Sequence, residues 1–149
     1  MEAATEIQEF SLTMNRRFNV PKQAVYEAWT DKEALTAWFA PAAEMTTIVH
    51  YQELKVGGQY NIEMRETDGT QHIIHGEYVA LNPFDQLVFT WEWQSDENNV
   101  NSLVTIDLQE SDGSTEMVLT HEKLASQKSV DLHSEGWTGC LVQLEAFVN

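Results

Sequence analysis

Tyr60, Ile62 and Met64 alternate with Asn61, Glu63 and Arg65, the period-two pattern of a strand with one face buried. Asp68-Gly69 supplies a turn, and the chain from about His72 to Leu81 returns beside that strand. After a second turn at Asn82-Pro83-Phe84-Asp85, Phe89, Trp91 and Trp93 fall on one side and Thr90 and Glu92 on the other. A polar loop from Ser95 to Asn99 leads to a strand that turns Val104, Ile106 and Leu108 one way. Asp112-Gly113 turns again, and Met117, Leu119 and His121 alternate with Glu116, Val118 and Thr120. The result is a meander of antiparallel strands with a single apolar face.

The flanks complete the architecture. Phe10, Leu12 and Met14 alternate with polar residues and predict an opening strand. Pro21 suits a helix start, where its missing N–H is harmless, and Val25 with Ala28-Trp29 then share a helical face. Thr30 and Glu33 have capping-box spacing for a second short helix, which carries Leu35 and Trp38 and stops before Pro41. Residues from Met45 to Tyr51 predict a further strand and Gly57-Gly58 a tight turn. Near the C-terminus the period changes: Val130, His133, Trp137, Cys140-Leu141, Leu144 and Phe147-Val148 form one stripe. This predicts a helix over about Ser129 to Phe147, capped by Ser126 or Ser129. Gly136 and Gly139 lie inside it and each costs roughly 1 kcal/mol relative to Ala, so a close neighbour is expected there, either the sheet edge or a ligand. The fold class is α+β: a curved antiparallel sheet and two short helices wrapped around a long C-terminal helix, in one domain over residues 1–149.

Composition narrows the partners. Twenty-four acidic against eight basic residues give a net charge of −16, and the acids are scattered as a solvated surface would have them. Nucleic acid and anionic membranes are poor partners, because both demand clustered cations and only Arg16-Arg17 forms a basic pair. One cysteine, Cys140, excludes an internal disulfide framework. No apolar run approaches the roughly 20 residues of a membrane span. The start, MEAATEIQEF, lacks the basic and apolar regions of a signal peptide, so a cytoplasmic protein is expected. His72 and His75 are three apart in a strand and point to opposite faces, and there is no CxxC or HExxH. No metal, nucleotide or other cofactor is expected.

Several stretches together resemble a known family. They are Arg16-Arg17-Phe18 before Pro21, Ala28-Trp29-Thr30, Trp38-Phe39-Ala40-Pro41, Gly57-Gly58, Gly76 before Asn82-Pro83, Thr90-Trp91, and His133-x-x-Gly136-Trp137 with Leu141 and Leu144. The set spans nearly the whole chain and is similar to the helix-grip superfamily of START lipid-transfer and birch-pollen-allergen-like proteins. Within it the resemblance is to the group named after the activator of heat-shock-protein-90 ATPase. Leu54-Lys55-Val56 stands where that group often has an acidic-basic pair.

The resemblance implies a cavity, often apolar, between the sheet and the long helix. Tyr60, Met64, Phe89, Trp91, Trp93, Met117 and His121 share the sheet face opposite His133, Trp137 and Leu141, and these ten are the candidate cavity lining. The same residue types also build ordinary cores. His133 and Trp137, one turn apart, have two readings: hydrogen bonding and stacking on a ligand, or satisfying a carbonyl and anchoring the helix. The directions of His75 and Glu77 stay open, since their strand is apolar on both faces and Gly76 suits a bulge. The leading function is binding of a small apolar or aromatic ligand. The alternatives are a co-chaperone-like interaction domain and a cyclase or hydrolase using the same cavity; a homodimer or a chaperone partner stays open.

Overall fold

The computed structural model describes residues 10–94 and 101–149; the loop expected from Ser95 to Asn99 and most of the N-terminal segment lie outside them. Along the chain come β1 (Phe10–Phe18), α1 (Lys22–Thr30), α2 (Lys32–Trp38), β2 (Thr46–Gln52), β3 (Gln59–Arg65), β4 (Gln71–Asn82), β5 (Gln86–Trp93), β6 (Ser102–Ser111), β7 (Ser114–Leu124) and α3 (Gln127–Val148). The strands form one seven-stranded sheet in the order β1-β7-β6-β5-β4-β3-β2, antiparallel at every pairing. From β2 to β7 each strand lies beside its neighbour in sequence, as short turns require. Register shifts at Phe10/Leu12, Val49/Tyr51 and Tyr78/Ala80 bend the sheet, since an extra residue on one strand kinks it and raises its twist.

One face of this curved sheet is apolar and receives the helices. Phe18, Ile74, Leu87, Val104, Ile106, Met117 and Leu119 are almost fully buried there. α1 and α2 cover the centre with a cluster of edge-on rings: Trp29 and Trp38 are 4.9 Å apart between centroids, and Trp38 Nε1 donates to Ala28 O at 2.8 Å. α3 crosses beside them and buries Trp137, Cys140, Leu141 and Leu144.

The helix ends differ in detail from expectation. Pro21 is the residue before α1 and not its first residue. α2 is capped by Asp31, whose carboxylate accepts from Ala34 N at 3.1 Å, whereas the Thr30 hydroxyl turns back to donate to Tyr26 O; a capping box at Thr30 and Glu33 does not form. α3 begins two residues before Ser129, because Ser126 is the cap and accepts from Ser129 N at 3.1 Å. Phe147, placed in the buried stripe by periodicity, is exposed.

The two glycines of α3 play different parts. A Cβ on Gly139 would lie 2.1 Å from Pro41 O, so the loop after α2, and not the sheet edge, is the element that crowds it. A Cβ on Gly136 would meet nothing within 4 Å. Gly76 is likewise required by a neighbour: Thr90 O lies 2.2 Å from where its Cβ would be, while the bulge in β4 falls further on, at Tyr78/Ala80.

Candidate functional site

Strand parity decides which side chains can meet α3. Met64 faces His72 across β3 and β4, Ile74 faces Trp93, and Tyr78 faces Phe89, so these residues share the helix side. Beyond the edge of α2 that side is not filled. A cavity of about 730 Å³ opens between the sheet and the first half of α3, within the range of small-molecule sites. Its sheet wall is Met64, Trp91 and Trp93, with Glu66 and His72 at the rim. Its helix wall is Leu132, His133, Gly136, Trp137 and Cys140, with Ser126, Lys128 and Ser129 where the helix starts; Pro41 and Met45 close the end.

Five of the ten expected lining residues therefore border this cavity: Met64, Trp91, Trp93, His133 and Trp137. The other five do not. Tyr60 and Phe89 lie under α1 and α2, with Trp29 and Phe39 around a gap of only about 20 Å³. Met117 and Leu141 are close-packed core, and His121 is wholly buried behind Trp137. Strand parity assigned Tyr60, Phe89, Met117 and His121 to the correct face, but α1 and α2 cover Tyr60 and Phe89 and Trp137 of α3 covers His121.

Two tryptophan–histidine pairs hold the walls. Trp137 Nε1 donates to His121 Nδ1 at 3.0 Å. That leaves the proton on Nε2, which donates to Ser102 Oγ at 2.7 Å, and Ser102 Oγ donates to Trp91 O at 2.9 Å. In the second pair Trp93 Nε1 donates to His133 Nε2 at 3.0 Å, and Nδ1 donates to Ser129 O at 2.8 Å. The two imidazoles meet edge to face at 4.7 Å. Both are neutral by construction, since each spends one nitrogen as an acceptor. Burial holds His121 down at about 3, with His133 beside it pushing the same way. Burial also lowers His133, partly offset by its bond to Ser129. His133 thus has no ring nitrogen left for a ligand: it satisfies its own helix carbonyl and clamps Trp93. Trp91 Nε1, also buried, has no acceptor among the described residues.

The rim carries the polar groups. His72 Nε2 and Glu66 Oε2 are 2.6 Å apart, and Lys128 stands opposite on the first turn of α3. Cys140 is in the wall, yet burial pushes its thiol up to about 12, so it is an apolar surface and not a nucleophile. Glu66, His72 and Lys128 were not among the expected lining. The parity of His72 with Met64 was the available clue, because His72 sits directly opposite it.

His75 and Glu77 point to the other face of the sheet. There they border a polar hollow of about 770 Å³ with His50, Tyr51, Thr90 and Glu92. Below the same face Glu63 is held by Arg65 at 2.7 Å and His50 at 2.8 Å, and these bonds bring its carboxyl down to about 2. Among the described residues no group of three or more His, Cys, Asp or Glu has metal-binding geometry, and no helix is long and apolar enough to cross a membrane.

Comparison with known proteins agrees with this architecture. The model of the family described as activator of Hsp90 ATPase homolog 1-like protein matches residues 19–149. A crystal structure of a Chromobacterium violaceum protein is 24% identical, with 93% of this chain and 96% of that chain covered and a TM-score of 0.86. The AHSA1 protein of Silicibacter pomeroyi is also 24% identical, covering 92% and 96%, with a TM-score of 0.79. A solution structure from Arthrobacter aurescens is 20% identical over 93% and 85%, with a TM-score of 0.81. These likenesses are likenesses of fold. No curated protein matches the chain in sequence.

Proposed function

The chain belongs to the activator of Hsp90 ATPase homolog 1-like family, and we propose that it binds a small apolar or aromatic compound between its sheet and its long helix. The observation that carries this reading is the cavity of about 730 Å³ walled by Met64, Trp91, Trp93, Leu132 and Trp137. A core residue can be large and apolar for packing alone. Trp93 is partly exposed beside open volume, and the buried Trp91 and Trp137 pack next to it. With Trp93 and Trp137 pinned by neutral imidazoles, they form a rigid aromatic wall of the sort that small-molecule sites use. The rim groups Glu66, His72, Ser129 and Lys128 are where a polar end of the ligand would emerge, since the nitrogens of His121 and His133 are occupied.

Native mass spectrometry of the freshly purified protein tests the reading. The expected result is a co-purifying apolar compound of one or a few masses, released on unfolding and taken up again by the refolded protein. Chemical change of that compound on incubation would move the reading to an enzyme. A protein that retains nothing, binds nothing from a broad aromatic and lipid panel, and captures a chaperone would overturn it in favour of an interaction domain.

A further inference from the structure

Gly139 and Gly136 sit one turn apart in α3, and a helix interior favours alanine over glycine at either position. Packing explains Gly139, because Pro41 O occupies the place of its Cβ. Nothing in the packing explains Gly136: a Cβ there meets no atom within 4 Å, and its backbone is helical, not left-handed. What borders Gly136 is the cavity. One turn before it stand Leu132 and His133, and one turn after it Cys140, all on the same wall. The missing side chain therefore leaves a recess one residue wide, floored by helix backbone, in a cavity whose partly exposed indole is Trp93.

Resting on the binding reading above, we infer that Gly136 is the specificity-determining residue of this site and that the ligand is a flat aromatic or conjugated ring system. Its edge lies in the recess at Gly136 and its face lies against the indole of Trp93. A side chain at residue 136 would project into the space the ring needs. A flat body suits both surfaces at once, because indole faces favour offset stacking and a narrow recess admits an edge but not a branched or coiled chain. The two glycines thus have different roles: Gly139 serves the fold and Gly136 serves the ligand.

The test uses Gly136→Ala and Gly136→Leu in the full chain. Melting temperature reports the fold, and binding of 1-aminoanthracene and of dodecanol reports the cavity. The expected result is that Gly136→Ala melts no lower than the parent, while Gly136→Leu stays folded and binds 1-aminoanthracene about tenfold more weakly. Dodecanol, which can bend around a side chain, should lose less than half of that factor on a logarithmic scale. A lower melting temperature for Gly136→Ala would overturn the inference by revealing a packing role. Unchanged 1-aminoanthracene affinity in Gly136→Leu, or an equal loss of both probes, would overturn it as well. If the parent protein itself binds neither probe while the Gly136→Ala melting result holds, it is the binding reading that fails.

Discussion

At His121 a buried imidazole accepts from the Trp137 indole and donates to the Ser102 hydroxyl, so protonation would turn the Trp137 N–H against a second donor. This has a sign and a pH window. The folded-state pKa lies at about 3, below the ordinary value of 6.5, so the unfolded chain takes up the proton first. The stability tied to the neutral ring is fully present above pH 6.5. It is lost as pH falls from there toward 3, by up to about 1.4 kcal/mol per pH unit. Lower pH also relieves repulsion in a chain of net charge −16, so a difference measurement is needed. Urea unfolding of the native protein and of His121→Gln, which keeps a donor and an acceptor, should show the native protein's advantage shrinking between pH 7 and pH 5. A difference that stays constant over that interval would show that His121 is not held neutral. The residue types of these pairs were visible in the sequence. Their pairing was not, because Trp93 with His133 and Trp137 with His121 join residues from different elements, and no spacing rule reaches across a sheet.

The elements themselves were legible, and for a local reason: the strands β3 to β7 alternate with period two and are divided by turns whose residues name themselves, such as Asp112-Gly113 with φ values of 54° and 79°. Alternation gives the face of a strand but not the depth at which a side chain ends. Tyr60 and Met64 share a strand and a face; Tyr60 lies under α1 and α2, while Met64 reaches the cavity. That difference is set by where the short helices lie, which the pattern of β3 cannot encode. The glycines of α3 make the same point, since the sequence marked both and only the packing tells them apart. Gly139→Ala should therefore be destabilising by about 1–3 kcal/mol, as overpacking against backbone is, despite the better helix propensity of alanine. Leu144→Asp, which puts a charge at a position with no exposure, should cost several kcal/mol more than any surface change. Thermal or urea unfolding of the two variants checks both. A Gly139→Ala protein as stable as its parent would mean that the Pro41 loop gives way freely.

Across the whole molecule, the sheet and helices divide the apolar face into a filled half and an open one. α1, α2 and the second half of α3 close over Phe18, Leu87, Phe89, Ile106 and Leu119, which supplies the stability. The first half of α3 stands away from β3, β4 and β5 and is tied to β5 by the bond from Trp93 to His133. The proposed ligand site is thus the portion of the apolar face that the protein does not fill for itself. The most direct measurement is a titration of the native protein and Trp137→Leu with 1-aminoanthracene, followed by tryptophan emission and melting temperature, with circular dichroism to confirm both folds. Saturable binding by the native protein should quench the indoles and stabilise it by about 2.7 kcal/mol at a hundredfold excess over Kd, with Trp137→Leu clearly weaker. A flat titration, with no change in emission or melting temperature for this or any other apolar probe, would contradict the account and mean that side chains close the cavity in solution.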